Sequence, residues 1–279
     1  MNKRIGFVDY NLENFHANVY LSAFRHELAH RGYEVSGCTA LVADGGRVWA
    51  EKNHVPYFDS VQQLNQSVDF YVVLAPNNPE MHFELCTQVM PTGKATYVDK
   101  TFAPDLATAQ AIFALADRYG TAMQTTSALR YTNAQTYVDE TGKQSVQHMV
   151  AWGGGSSFGV YAIHPLELVV SCMGAQVEGL MRRGSGDRSQ LLLDYAGGRT
   201  AVVNVYTNSD TSFAASVTTD KGTRYIKVDD STLFIDMAKA ILDLFDSGRP
   251  SIDRDESLVI RRILDVAATE EALRHFVTL

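Results

Sequence analysis

At about 150 residues per domain, a chain of 279 residues points to two domains or one large one. Its 24 Lys and Arg against 32 Asp and Glu leave a formal net charge of -8, with no basic run longer than doublets such as Arg182-Arg183 and Arg261-Arg262. That balance lacks the electrostatic footprint for a phosphate backbone and excludes nucleic acid as a partner. Hydrophobic residues at 46% and charged residues at 20% suit a globular protein with a sizeable core. No stretch approaches the roughly 18–20 uncharged apolar residues of a membrane span. The segment from Met1 to Val8 leads into a strand pattern without the apolar region of a signal peptide. Cys38, Cys86 and Cys172 form neither a disulfide framework nor a CxxC metal knuckle. A soluble protein of the reducing cytoplasm, with no metal, is the expectation.

Along the first half, strand and helix patterns alternate. Residues 4–9 read as a short buried strand and 16–31 as an amphipathic helix, with Gly32 as its stop before a strand at 33–40. Residues 69–75 form a near-continuous apolar run, the mark of a strand covered on both faces. A helix at 80–88, a strand at 95–99, a helix at 106–119 and a strand at 122–126 follow. This alternation implies a doubly wound, Rossmann-like parallel sheet that takes ligands outside the carboxyl ends of its strands.

After residue 128 the pattern changes. Strands at 147–152, 175–182, 190–195, 200–206, 212–219 and 223–228 crowd together, with turns at Gly197-Gly198 and Asp220-Lys221-Gly222. Helices are expected at 165–173, 232–246 and 256–274. The second half is therefore an α+β domain with a large, mostly antiparallel sheet. The predicted domains are 1–127 and 128–279.

The turn after the first strand reads Asp9-Tyr10-Asn11-Leu12-Glu13-Asn14-Phe15-His16. The three glycines of a GxGxxG dinucleotide fingerprint would fall on Asp9, Asn11 and Asn14. Asn tolerates left-handed backbone, so two positions are geometric substitutes. Asp9 conflicts with a phosphate: a carboxylate ~5 Å away costs about 3 kcal/mol at an effective dielectric of 20. The acidic residue expected after the second strand is also missing, with Cys38-Thr39-Ala40 there instead.

His26-Glu27-Leu28-Ala29-His30 matches the zinc motif HExxH. At 100° per residue both histidines fall opposite the apolar face of Ala17, Leu21, Phe24 and Leu28, so they point to solvent. A second constellation begins at Tyr161-Ala162-Ile163-His164-Pro165. Pro165 suits the first helical position, which sets His164 at a helix start and Glu167 in its first turn. A helix start favours the neutral, proton-accepting imidazole. The run Gly153-Gly154-Gly155-Ser156-Ser157 reads equally as a rim loop or a simple connection.

Between residues 68 and 131, Pro76, Asn77 and His82 follow one strand, Asp99-Lys100-Thr101 ends the next, and Arg130-Tyr131 closes the stretch. In these residues the segment resembles the Gfo/Idh/MocA family of NAD(P)-dependent oxidoreductases, which includes glucose–fructose oxidoreductase and inositol dehydrogenase, with Asp99-Lys100-Thr101 in place of the family's Glu-Lys-Pro. Residues 50–64 and 256–279 also look like family segments, so the likeness runs through most of the chain. It implies NAD or NADP as cofactor and a small sugar-like substrate. It makes Lys100 the residue that contacts the nicotinamide ribose and polarises the reacting oxygen, and His164 the proton-exchanging group, assisted by Tyr161. Glu167 stands where the family has Asp, and the family's Asp four residues before the His falls on Val160. Asp9, Asn11, Leu12, Asn14, Pro76, Asn77, Asp99, Lys100 and Arg130 are the expected cofactor contacts. The alternative is a relative that kept the fold and became a sugar or nucleotide sensor or a partner subunit. Apolar strand residues at 190–193 and 201–203 imply a homodimer or homotetramer through the C-terminal sheet.

Overall fold

The computed structural model describes residues 3–279, and the chain divides into two compact units. The first comprises Met1–Thr126 and Phe234–Asp253. Its sheet contains β1 (Lys3–Asp9), β2 (Tyr33–Ala40), β3 (Phe70–Val73), β4 (Thr96–Val98) and β5 (Met123–Thr125), all parallel in the order β2-β1-β3-β4-β5. Helices α1 (Phe15–Arg25), α2 (Ala43–Asn53), α3 (Val61–Leu64), α4 (His82–Val89) and α5 (Leu106–Tyr119) connect the strands. Order reverses between β1 and β3, so the loops after β1, β3 and β4 share the end of the sheet where doubly wound folds bind ligands.

Two expectations change in this unit. The helix expected at 16–31 ends at Arg25, and His26 caps it at φ -116°, ψ -80°. Leu28 turns into the core, Gly32 takes φ +72°, and the chain enters β2. The HExxH residues therefore do not share a helix, and His26 and His30 are exposed. The second change is the extent of the unit. Segment Phe234–Asp253, which carries most of α9 (Leu233–Ser247), belongs with the first half rather than within a continuous 128–279. Phe234 packs edge-on against Phe15 and His16, and Phe245 stacks on Phe70 at 4.7 Å. Asp246 accepts hydrogen bonds from Arg31 (2.6 Å) and Tyr33 (2.9 Å). Apolar burial and these charge-assisted bonds tie the returning helix down.

The second unit comprises Ser127–Leu233 and Arg254–Leu279. It contains α6 (Asn133–Thr141), β6 (Val146–Gly155), α7 (Phe158–Tyr161), α8 (Ile163–Met173), β7 (Val177–Ser185), β8 (Arg188–Tyr195), β9 (Arg199–Thr207), β10 (Ala214–Thr219), β11 (Gly222–Lys227), α10 (Arg254–Ala267) and β12 (Val277–Thr278). The strand order is β11-β10-β6-β9-β8-β7-β12, antiparallel except for the parallel pair β6–β9. Helix α8 lies on β6 and β9, and α10 on β7 and α8. Strand residues alternate in burial: Met149, Ala151, Leu191, Leu193, Ala201 and Val203 are core. On the opposite face, Tyr225, Ser216, Val150, Val202, Leu192 and Met181 stand in one cross-strand row, half-buried or exposed.

Candidate active site

In the first unit the turn after β1 closes on itself. Asp9, 1% exposed, accepts hydrogen bonds from Asn11 N (3.2 Å), Asn14 Nδ2 (2.8 Å) and Ala75 N (2.9 Å). Asn14 caps α1 in extended backbone at φ -138°, its Oδ1 accepting from Ala17 N at 2.9 Å. Asn11 Oδ1 accepts from Glu13 N at 3.1 Å. Asn11 and Asn14 therefore do not act as left-handed stand-ins for glycine, because positive φ among the described non-glycine residues occurs at His54, Ala75 and Asn208. The strained position is Ala75, at φ +71°, whose amide Asp9 holds. Asp9 is thus an internal strut between the loops after β1 and β3. Burial pushes its carboxyl up to about 7, against hydrogen bonds from Asn14, Asn11 and Ala75 that pull it down. Leu12, an expected contact, is wholly buried in the core, so its side chain cannot meet a ligand.

Lys100 follows β4 at the same end of the sheet. The residue is 6% exposed and its ammonium donates to Pro76 O at 3.2 Å, which joins two predicted contacts. Burial lowers its pKa, and the Asp99 charge opposes that shift. Asp99 is wholly buried and accepts from His16 Nδ1 (2.5 Å), Tyr97 OH (3.1 Å) and Tyr20 OH (3.4 Å). Desolvation opposes its ionisation, but the neighbouring His16 and Lys100 prevail and hold its carboxyl below the usual range. Asn77 is exposed. His82 hydrogen-bonds Phe102 O through Nδ1 (3.0 Å) and Leu74 O through Nε2, tying the loop after β3 to the segment after Lys100.

Sequence reasoning missed His16. It stands in the first turn of α1, and its partner Asp99 is 83 positions away. A periodicity argument has no access to that pairing.

In the second unit, His164 Nδ1 and Ser127 Oγ are 2.7 Å apart, and the rings of Tyr161 and Phe213 flank the imidazole at 5.6 and 5.8 Å. A Cβ on Gly155 would lie 2.0 Å from Tyr161 Cγ, so this glycine admits the tyrosine ring against the strand end. The Gly153–Gly155 stretch is thus the end of β6 rather than a loop. One further expectation is corrected. Pro165 is not the first helical residue: α8 begins at Ile163, and Ala162 is itself helical, linking it to α7. His164 therefore lacks a free helix start, and Ser127 is what orients it. Glu167 is a buried acceptor for Arg130 Nε (2.6 Å) and Ser127 N (3.2 Å). Arg130 also donates to Glu256 Oε2 at 2.5 Å. Ion pairing with Glu167 and Glu256 accompanies the buried position of Arg130.

The first unit's residues suit a nicotinamide dinucleotide. Lys100 is a buried cation with three N–H donors, and Pro76 O is the hydrogen-bond acceptor within its reach. The remaining donors match ribose hydroxyls or a reacting oxygen.

Residues 4–127 match the family model described as the oxidoreductase family with an NAD-binding Rossmann fold, Gfo/Idh/MocA. No curated protein matches the sequence. Among solved structures, the chain is similar to scyllo-inositol dehydrogenase from Lactobacillus casei with bound NAD(H) and scyllo-inositol. The identity is 11%, 100% of this chain and 99% of that one are covered, and the TM-score is 0.82. It is also similar to a UDP-N-acetylglucosamine 3-dehydrogenase from Acidithiobacillus ferrooxidans, at 15% identity, 96% coverage of both chains and a TM-score of 0.78. No helix among the described residues is long and apolar enough to cross a membrane. Over residues 4–127, then, the chain is similar to the Gfo/Idh/MocA family of NAD-binding oxidoreductases, and over its whole length it shares the fold of these dehydrogenases.

Proposed function

We propose that this protein is an NAD(P)-dependent dehydrogenase acting on a CH–OH group of a sugar, polyol or related hydroxyl or carbonyl compound. The observation that carries the reading is the buried Lys100 ammonium at the carboxyl end of β4, beside Asp99 and Pro76 in an NAD-binding Rossmann unit. When bound, the nicotinamide supplies or accepts the hydride. Lys100 donates to the nicotinamide ribose and stabilises negative charge developing on the substrate oxygen. Asp99 keeps that cation balanced, and the main chain around Asn11, Asn14, Pro76 and Asn77 meets the rest of the dinucleotide. Ser127 engages His164 at Nδ1, so Nε2 is the atom that exchanges the proton of the substrate oxygen, with Tyr161 as a second hydroxyl beside it.

The substrate class draws support from what the structurally similar dehydrogenases act on, an inositol and a nucleotide sugar. The cross-strand row of Val150, Val202, Leu192 and Met181 on the seven-stranded sheet supports a homodimer or homotetramer through that face. Residence in the cytoplasm fits three buried, free cysteines.

Calorimetric titration of the full chain with NADH and NADPH, followed by turnover assays on a polyol and sugar panel, tests the reading. One of the two cofactors is expected to bind with Kd below about 0.1 mM. Lys100→Met and His164→Ala should each lower turnover about a hundredfold or more while the protein stays folded. Binding of neither cofactor, or near-normal turnover in both variants, refutes it. The first of those outcomes would favour a sensor or partner subunit.

A further inference from the structure

The group that the dehydrogenase reading leaves unused is His16. The elements packed around Asp99 present a defined set of side chains: His16 and Tyr20 from α1, Tyr97 from β4, and Lys100 next along the chain. His82 from α4 lies within the electrostatic reach of Asp99, and Phe234 from α9 contributes an apolar ring against His16 and Tyr20. Asp99 has no exposure to water, and the His16 Nδ1–Asp99 Oδ2 contact is 2.5 Å long. A carboxylate only accepts, so Nδ1 carries the hydrogen and the imidazole is held by that bond. The bond from His16 is the shortest of the three side-chain bonds described at the carboxylate.

We propose that His16 is a positioning residue for Lys100, acting through Asp99: it keeps the buried counter-charge of the ammonium ionised and fixed. The physical chain has two steps. A wholly buried carboxylate that loses its strongest donor takes up a proton, because desolvation is then poorly opposed. Lys100 is itself desolvated, and Asp99 supplies the charge that resists this. Once Asp99 is neutral, the ammonium releases its proton at lower pH. The consequence for catalysis rests on the proposed role of Lys100, but the linkage itself is a property of the ligand-free protein.

The test is the titration of Lys100 in the full, ligand-free chain. It is followed by trace acetylation with acetic anhydride across a pH series and mass spectrometry of the peptide carrying Lys100. Asp99→Asn and His16→Leu are both expected to lower the Lys100 midpoint by one pH unit or more. His16→Asn, whose side-chain amide replaces the Nδ1 donor, should restore the wild-type midpoint. In parallel, Kd for NADH should rise at least fivefold in Asp99→Asn and His16→Leu and remain within twofold in His16→Asn. An unchanged Lys100 midpoint in Asp99→Asn, or His16→Asn shifted as far as His16→Leu, overturns the proposal. If His16→Leu does not fold, the isosteric Asp99→Asn and the conservative His16→Asn carry the decision. A wild-type protein that binds neither NADH nor NADPH defeats the dehydrogenase reading, while the Lys100 titration still decides the linkage.

Discussion

Replacing Asp9 by Asn isolates the strut that links the loops after β1 and β3. Burial raises the Asp9 carboxyl from 3.8 to about 7 in the folded chain. Between about pH 4 and pH 7 the folded protein therefore holds a proton that the unfolded chain has lost. The stabilisation is fully present below the unfolded value and disappears as pH rises through 7. At about 1.4 kcal/mol per pH unit, the window is worth about 4 kcal/mol. Asn keeps the oxygen that accepts from Asn11 N and Ala75 N, but turns its amide nitrogen toward Asn14 Nδ2, a donor facing a donor. That mismatch costs about 1–3 kcal/mol and does not vary with pH.

The variant is thus expected to be the less stable protein at acid pH. It should gain roughly 3 kcal/mol relative to wild type on going from pH 5 to pH 8. Urea denaturation of both proteins at half-unit pH intervals measures this. Parallel stability curves for the two proteins from pH 4 to 8 would refute the reasoning.

Two predictions concern packing. Arg130→Met leaves Glu167 and Glu256 as adjacent carboxylates with side-chain exposures of 4% and 12%. Loss of their shared cation should destabilise the second unit by about 3–5 kcal/mol, visible as a drop of about 10–20 °C in its calorimetric transition. Gly37→Ala places a Cβ 2.6 Å from Leu64 Cδ1 and 2.7 Å from the Phe58 ring. Overpacking of this kind should cost about 1–3 kcal/mol by urea denaturation, with cofactor affinity unchanged because β2 is disturbed away from its carboxyl end.

What the sequence discloses follows from how local each determinant is. Strand 33–40 and helix 106–119 are legible to the residue because their stops are local: Gly32 and Gly120 take left-handed backbone, and Asp105 caps α5 through Thr108 N. Helix α6 carries an equally local signal, the capping box of Thr132 and Gln135, which the strand pattern expected after residue 128 passes over. Helix α2 was hidden by Gly45-Gly46, which argue against a helix until their neighbours are known. A Cβ on Gly46 would lie 2.8 Å from the Tyr57 ring and 2.9 Å from Ala40 Cβ, so close approach rather than flexibility explains that glycine. The same distinction separates the two halves of the candidate site. Lys100 is legible from its place after a buried strand. Its support is not, because His16 reaches Asp99 only after α1 and β4 have packed. Asp9 shows the cost of reading a turn by motif alone. Laid over a glycine fingerprint it looks like a charge aimed at phosphate, yet folding directs it inward, where three donors enclose it and the strain falls on Ala75. Backbone groups that a glycine-rich turn leaves open are satisfied here by side chains. Loss of the glycines therefore does not by itself mean loss of the turn, and the pH dependence expected of Asp9 is the signature that separates the two.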